Sequence, residues 1–346
     1  MKSSSTKYSM PLARALALGC VLAVPASAQE STITYVTYGG VAADAQKSAI
    51  VEPFIEATGI NVVMDAPSDY AKAEIQVKSG QVTWDVLTAE PFFIEKQCGV
   101  LFEPIDTTIV DTSGFEASDY STCFVPSYKA SYFLAYNKDM VGDNPPQNWA
   151  DFFDLQKYPG KRALHNYATS GALEAALLAD GVKRDELYPL DLPRAIRKLD
   201  SIKDSIVFYN TGSEQQQLME AETPVMVQAW ASRFLEATRN GAPYVPQWAD
   251  NLGYTDSLAV LKGSKNKDAA MKFIAYATSA EAQTRLDELL PYGPVTRDAK
   301  PKLPPDMEAL LVTNPDIAEK TIATSTAYYA EHFNDAVDAW NDWLNK

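Results

Sequence analysis

The chain is 346 residues long, 46% hydrophobic and 22% charged, and its 45 acidic against 30 basic side chains give a net charge of -15. That acidic balance argues against binding to nucleic acid or to an anionic membrane, where basic patches supply most of the affinity. The length accommodates two domains of ordinary size.

Residues 1–14 carry Lys2, Lys7 and Arg14 without an acid; an apolar run to Val24 and Pro25-Ala-Ser-Ala28 follow. A basic segment, a short apolar segment and an Ala-x-Ala site predict a secretory signal peptide over 1–28, cut after Ala28. The apolar run is too short to span a bilayer. Cys20, at the end of Ala17-Leu-Gly-Cys, offers a lipid-anchored form as the alternative to a soluble one. Cleavage takes the net charge to -15 - 3 = -18 and leaves Cys98 and Cys123. Two cysteines in an oxidising compartment predict a disulfide contributing about 3 kcal/mol, against the alternative of two separate thiols.

From Thr32 onward short β-rich runs alternate with helical stretches, which predicts an α/β fold with mainly parallel strands. The first strand, 33–38, stops at Gly39-Gly40. A helix over 43–58 follows, then a strand at 60–64, a helix from Ser68 to Gly80 and a strand at 84–87. A strand at 131–136 precedes Asp143–Trp149, whose turn chemistry suits a hinge. A second α/β set occupies 171–259: helices at 171–180, 193–202, 213–220 and from Ser232, strands at 206–209 and 225–229, and a return strand at 257–261. Helices at 266–277, 280–289 and 328–344 complete the chain. We expect lobe 1 to comprise 29–136 and 260–346 and lobe 2 to comprise 137–259, with two crossings and a ligand between the lobes.

Open α/β sheets place their sites where strands end and helices begin. That rule selects Tyr38, Gly39 and Gly40, Glu90 and Phe92, Ser170, and the segment Trp230–Arg233. Two glycines allow close approach of backbone N–H groups. Arg233, where an apolar strand becomes a helix, is either a surface charge or an anchor for an anion. His165 and His332 lie far apart and no acid or cysteine cluster has metal spacing, so neither a metal nor another cofactor is expected. Nucleophile-elbow, Walker and dinucleotide motifs are missing. An enzyme with scattered carboxylates stays as a third reading. Glu281, Asp287, Glu288 and Asp298 read as solvated helix-face charges.

The mature chain resembles a periplasmic solute-binding protein of an ABC importer, in the branch of spermidine/putrescine and γ-aminobutyrate-type binders. The resemblance rests on Tyr-Gly-Gly (38–40), Glu-Pro-Phe-Ile-Glu-Ala-Thr-Gly-Ile (52–60), Trp-Asp-Val (84–86) and Cys-Gly-Val-Leu-Phe-Glu-Pro-Ile-Asp (98–106). It continues through Ala-Leu-Leu-Ala-Asp-Gly-Val (176–182), Leu-Tyr-Pro-Leu-Asp (187–191), Ala-Trp-Ala-Ser-Arg (229–233), Asp-Ser-Leu-Ala-Val (256–260) and Pro-Tyr-Gly-Pro-Val-Thr (291–296). It implies a two-lobe type II periplasmic binding protein fold, hinge closure on a ligand and a permease partner. By position it implies ligand contacts from Tyr38, Glu90, Phe92, Trp230 and Tyr254, with Asp256 holding an amine.

Two departures from the polyamine pattern matter. Polyamine binders lack an arginine where this chain has Arg233, and they carry acids where it has Ala-Thr-Ser-Gly (168–171). An arginine gained and carboxylates lost fit a ligand with a carboxylate at one end, because guanidinium pairs with carboxylate through two parallel hydrogen bonds. The expected ligand is therefore a small amino-carboxylate of the γ-aminobutyrate type, with Tyr38, Phe92, Trp230, Tyr254 and Tyr292 around its apolar middle. A polyamine is the alternative. A ferric ion held by Tyr328-Tyr329 is a further one, although the helical context there suits packing. We expect a monomer in the periplasm.

Overall fold

In the computed structural model, residues 1–6 and 32–346 are described. Cys20 and the expected cleavage site after Ala28 lie outside the described residues. Among those described, no helix is long and apolar enough to cross a membrane.

Strand β1 (Thr32–Val36) buries Ile33 and Tyr35, and the chain then turns at Gly39 and Gly40, whose φ angles of 87° and 64° are strained for any residue but glycine. A helical run from Gly40 to Thr58 contains a π-turn over Lys47–Val51 and ends at Gly59 in the left-handed conformation. The strands that follow are β2 (Asn61–Asp65), β3 (Val86–Ala89), β4 (Val125–Asn137), β5 (Lys161–His165), β6 (Ile206–Tyr209), β7 (Pro224–Trp230), β8 (Tyr244–Val260) and β9 (Thr321–Ala323). They form one mixed sheet in the order β2-β1-β3-β8-β4-β7-β5-β6, with β9 on β8. β1 pairs in parallel with β2 and β3, and β5 with β6 and β7; β8 is antiparallel to β3 and β4.

The fold is of the two-lobe binding-protein type, and β4 and β8 run through both lobes. Val125, Tyr128 and Ala130 of β4 pack with Phe54, Phe273 and Leu286 in one core, whereas Tyr132 and Leu134 pack with Trp149, Phe152 and Leu173 in another. β8 divides likewise, Leu258 and Val260 in the first core and Leu252 in the second. We propose that the crossings are made inside these paired strands. Asp143–Trp149, expected as a hinge, instead leads into the helix Trp149–Phe153, which buries all three of its aromatic rings in the second core.

The segment 260–346, expected to return whole to lobe 1, divides as well. The helices Lys267–Ala277 and Ala280–Leu289 place Phe273, Ile274 and Leu286 in the first core. Further on, Met307 and Leu310 pack with Phe234, and the helix Thr326–Leu344 buries Tyr329, Trp340 and Trp343 beside Trp149 and Leu199. The physical reason is the aromatic stripe of that last helix, which is buried in the second core. We propose that 303–346 belongs with lobe 2 and that the lobes meet within 130–132 and 252–256.

The expected disulfide is present: Cys98 and Cys123 are bonded with Cα atoms 5.6 Å apart, tying the segment after β3 to the approach of β4. One side chain departs from its sequence reading. Asp287 is fully buried, both carboxylate oxygens lack a hydrogen-bond partner, and burial pushes its pKa up to about 9 from 3.8. The helix face that carries it packs inward, so it is no solvated charge.

The folded chain thus holds the Asp287 proton more tightly than the unfolded chain does. Its contribution to stability is complete below pH 3.8 and is lost as the pH rises toward 9. Asp287→Asn should raise the melting temperature at pH 8, by about 1 kcal/mol or more in stability, with little change at pH 4. Melting curves across that range check this; an equal shift at both ends would contradict it.

Candidate functional site

Side chains two residues apart on a strand leave the same face, so Tyr254 and Asp256 of β8 point together. The β4 register sets Tyr128 directly opposite Asp256, Ala130 opposite Tyr254 and Tyr132 opposite Leu252, and β7 ends with Trp230 opposite Tyr132. The small Ala130 leaves room for Tyr254 to lean diagonally onto Tyr132, and the two rings stack at 4.8 Å. Trp230 lies 5.8 Å from Tyr132, and Tyr292 stacks on Tyr128 at 4.4 Å, carried there by the bridge between Lys129 and Gly293. An aromatic wall thus runs across the junction of the lobes. His165 meets the Trp230 ring at 4.7 Å; burial pulls its pKa down to about 4, so it packs as a neutral ring.

Asp256 marks one end of that wall. It is 4% exposed, and its Oδ1 accepts from the Tyr38 hydroxyl at 3.3 Å. Burial pushes its carboxyl up to about 6, against the opposing hydrogen bonds of Tyr128 and Tyr38. Tyr38 itself keeps 40% of its surface exposed. Its ring forms a rim while its hydroxyl reaches inward.

Arg233 marks the other end. The helix Ala231–Arg239 starts where β7 stops, so Arg233 sits in its first turn, half-buried. Its Nη1 donates to Gln216 Oε1 at 3.3 Å. Two glycines flank the guanidinium: a Cβ on Gly40 would stand 2.7 Å from Nη2, and one on Gly212 would stand 2.6 Å from Nε. Gly40 follows β1 and Gly212 opens the helix Gly212–Glu220, so the side chain bridges the lobes. Among the described residues neither Arg233 nor Asp256 takes part in an ion pair. Arg162 offers the contrast of a structural arginine: fully buried, it donates to the carbonyls of Phe152, Asp154, Tyr158, Gly160 and Lys161. Burial, the Ser232 hydrogen bond and the charges of Asp256 and Arg233 together leave the Tyr292 phenol at about 12, so both charged groups are within electrostatic reach of that ring.

The remaining sequence candidates serve other contacts. Glu90 ends β3, and its carboxylate accepts from the hydroxyls of Tyr70 (2.8 Å), Tyr167 (3.1 Å) and Thr169 (3.2 Å). Burial first, with Asp256 adding to it, lifts its pKa to about 7 against those hydrogen bonds. Phe92 is buried against Tyr329 and Phe333 of the last helix. Ser170 is fully buried, its Oγ donating to the Tyr167 carbonyl and its own carbonyl accepting from Gln228 Nε2, so it fixes a loop. Gly39 supplies the turn, its N–H already donating to Thr37 Oγ1. The Tyr329 hydroxyl donates to Glu174 at 2.6 Å and Tyr328 stacks on His332. The described residues hold no group of three histidines, cysteines or acids that could take a metal.

Sequence reasoning missed Tyr128, Tyr132, Gly212 and Gln216. The spacing Tyr128-x-Ala130-x-Tyr132 carried a strand-face signal; Gly212 and Gln216 carried none.

One sheet shared by two hydrophobic cores, with a polar and aromatic cluster where they meet, is the arrangement of a two-lobe binding protein. The chain belongs to the bacterial extracellular solute-binding protein family, whose model matches residues 49–321, and is a solute-binding protein of the ABC-transporter type. It is 33% identical over 99% of both chains to the γ-aminobutyric acid-binding protein of Pseudomonas aeruginosa PAO1. A solved GABA receptor superposes with a TM-score of 0.84 at 38% identity, over 90% of this chain and 97% of that one. The spermidine/putrescine-binding periplasmic protein of Escherichia coli K12 is 21% identical over 82% of this chain and 86% of its own.

Asp256 has a raised pKa, so ionising it costs stability as the pH climbs from about 4 through about 6. Asp256→Asn should therefore make the ligand-free protein more heat-stable at pH 8 and not at pH 4. A thermal scan showing destabilisation at pH 8 would assign Asp256 a structural role instead.

Proposed function

We propose that this chain binds a small compound with an ammonium at one end and a carboxylate at the other, of the γ-aminobutyrate type, between its lobes. The single observation behind this reading is the pair of buried or half-buried opposite charges, Arg233 and Asp256, that flank an aromatic wall without ion pairing to protein. Burying such charges unpaired is expensive, and a zwitterionic ligand would compensate both. Arg233 would hold the carboxylate by two parallel hydrogen bonds with Gly40 beside it, and Asp256 the ammonium. Tyr38, Trp230, Tyr254 and Tyr292, joined by Tyr128 and Tyr132, would enclose the methylenes, with cation–π attraction at the ammonium. The 33% identity of the whole chain to a γ-aminobutyric acid-binding relative supports the assignment.

In this reading the protein is exported to the periplasm with its signal peptide cut after Ala28, acts as a monomer, hands its ligand to an ABC permease and catalyses nothing. A polyamine is disfavoured by Arg233, a cation placed in the same cleft. It is disfavoured again by Glu90, whose carboxylate is occupied by three hydroxyls.

Calorimetry with γ-aminobutyrate, butyrate and putrescine tests the reading. γ-Aminobutyrate should bind best, and Arg233→Ala should weaken it by at least about 2 kcal/mol, the usual effect of removing a hydrogen-bonded charge. Gly212→Ala should preserve the fold and still weaken binding, because the new Cβ displaces the Arg233 side chain. Tight putrescine binding unaffected by Arg233→Ala would overturn the carboxylate anchor.

A further inference from the structure

Glu90 was expected to contact ligand, yet the geometry gives its side chain a different partner set. As the residue preceding the helix Pro91–Lys96 it makes no side-chain cap. Its Oε2 accepts from Tyr70, on the helix Tyr70–Ser79 of the first lobe, and from Tyr167, in the loop after β5 of the second. Its Oε1 accepts from Thr169 of that same loop. We propose that Glu90 is the latch that holds the two lobes together, a positioning residue that acts on ligand affinity through closure and not through contact with the ligand.

Both halves of the latch are braced. In the first lobe the Tyr70 ring stacks on Phe93 at 4.0 Å, and its hydroxyl accepts from the Glu90 N–H at 3.0 Å. In the second, Ser170 ties down the Tyr167 carbonyl, Gln228 holds the Ser170 carbonyl and Gly171 takes a φ of 85°, which fixes Tyr167 and Thr169 in place. Such bracing lowers the entropy lost when the lobes meet. Hydrogen bonds to a carboxylate are stronger than neutral ones, so a few hydroxyls suffice to hold the interface.

The latch is also wired to the ligand site. The Tyr70 hydroxyl lies 3.4 Å from that of Tyr38, which donates to Asp256. Each phenol has one proton, and both are committed outward, Tyr70 to Glu90 and Tyr38 to Asp256, so no proton lies between the two phenol oxygens and the link from latch to site is electrostatic. The groups facing Glu90 are thus the hydroxyls of Tyr70, Tyr167 and Thr169, with Asp256 the charged neighbour that also raises its pKa. A cation at Asp256 would ease the repulsion between the two carboxylates and so strengthen the latch.

This inference rests on the two-lobe fold and not on the identity of the ligand, and its test needs no ligand. Spin labels at Ile75→Cys and Met140→Cys, exposed positions on the first and second lobes, report interlobe distance by pulsed electron resonance. In the ligand-free protein a short-distance population is expected. Tyr167→Phe and Thr169→Val should each lower its ratio to the long-distance population by about tenfold, the loss of one hydrogen bond to a charged group. Combined with Glu90→Gln, the same substitutions should have far smaller effects. With γ-aminobutyrate and butyrate as probes, the single variants should weaken both by the same factor. No short-distance population, or one indifferent to these hydroxyls, overturns the latch. So does a loss confined to the amine-bearing probe in Glu90→Gln, which would make Glu90 an ammonium ligand. Failure of both probes to bind wild type would refute the proposed ligand class and leave the distance result standing.

Discussion

The antiparallel register of β4 against β8 is the constraint on which the rest depends. It sets Tyr128 against Asp256 and Ala130 against Tyr254, and through β7 it brings Trp230 beside Tyr132. A slip of one residue would turn every one of these side chains to the other face. Because the same two strands also run through both cores, the floor of the candidate site and the connection between the cores are one piece of structure. Ligand contacts there sit on paired backbone, which positions them more exactingly than loops would.

Much of this was legible in the sequence. Element order followed from alternation of short β-rich and helical runs, and Gly59 and Gly80 marked helix ends that the structure places in the left-handed conformation. Strand ends pointed to Tyr38, Trp230 and Arg233, whereas Asp256, which lies inside β8, came from the resemblance alone. The lengths of β4 and β8 were not legible. Lys129, Thr255 and Asp256 interrupt the apolar pattern with polar residues, so the pattern hid the strand continuing beneath. With those strands shortened, the nearest turn, Asp143–Trp149, looked like the crossing.

Burial was the least legible quantity. Asp287 occupies a helix whose neighbours Glu281 and Glu288 are exposed, and nothing in its local sequence separates it from them. Phe92 faces a helix and Ser170 offers its carbonyl to Gln228, both partners contributed from elsewhere in the chain. Such partners are set by tertiary placement, which one sequence does not encode locally. The terminal helix was misplaced for the same reason: its tryptophans announce a buried face without naming which core receives it.

The distribution of charge links closure to ligand. In the proposed division Glu90 belongs to the first lobe, Arg233 to the second and Asp256 to the crossing between them, so bringing the lobes together would desolvate two carboxylates and one guanidinium at once. The hydroxyls of Tyr167 and Thr169 satisfy Glu90, and Gln216 satisfies Arg233 in part. Asp256 is buried with only phenols as donors, and their hydrogen bonds do not offset the burial that shifts its pKa upward. A closed form of this kind would be held in place by Glu90 but made costly by Asp256, and a ligand that neutralises Asp256 would tip the balance. A ligand shifts such an equilibrium only by its difference in affinity for the two states. Here that difference would come from Arg233 and Asp256 meeting the same molecule, which can happen only when the lobes are together.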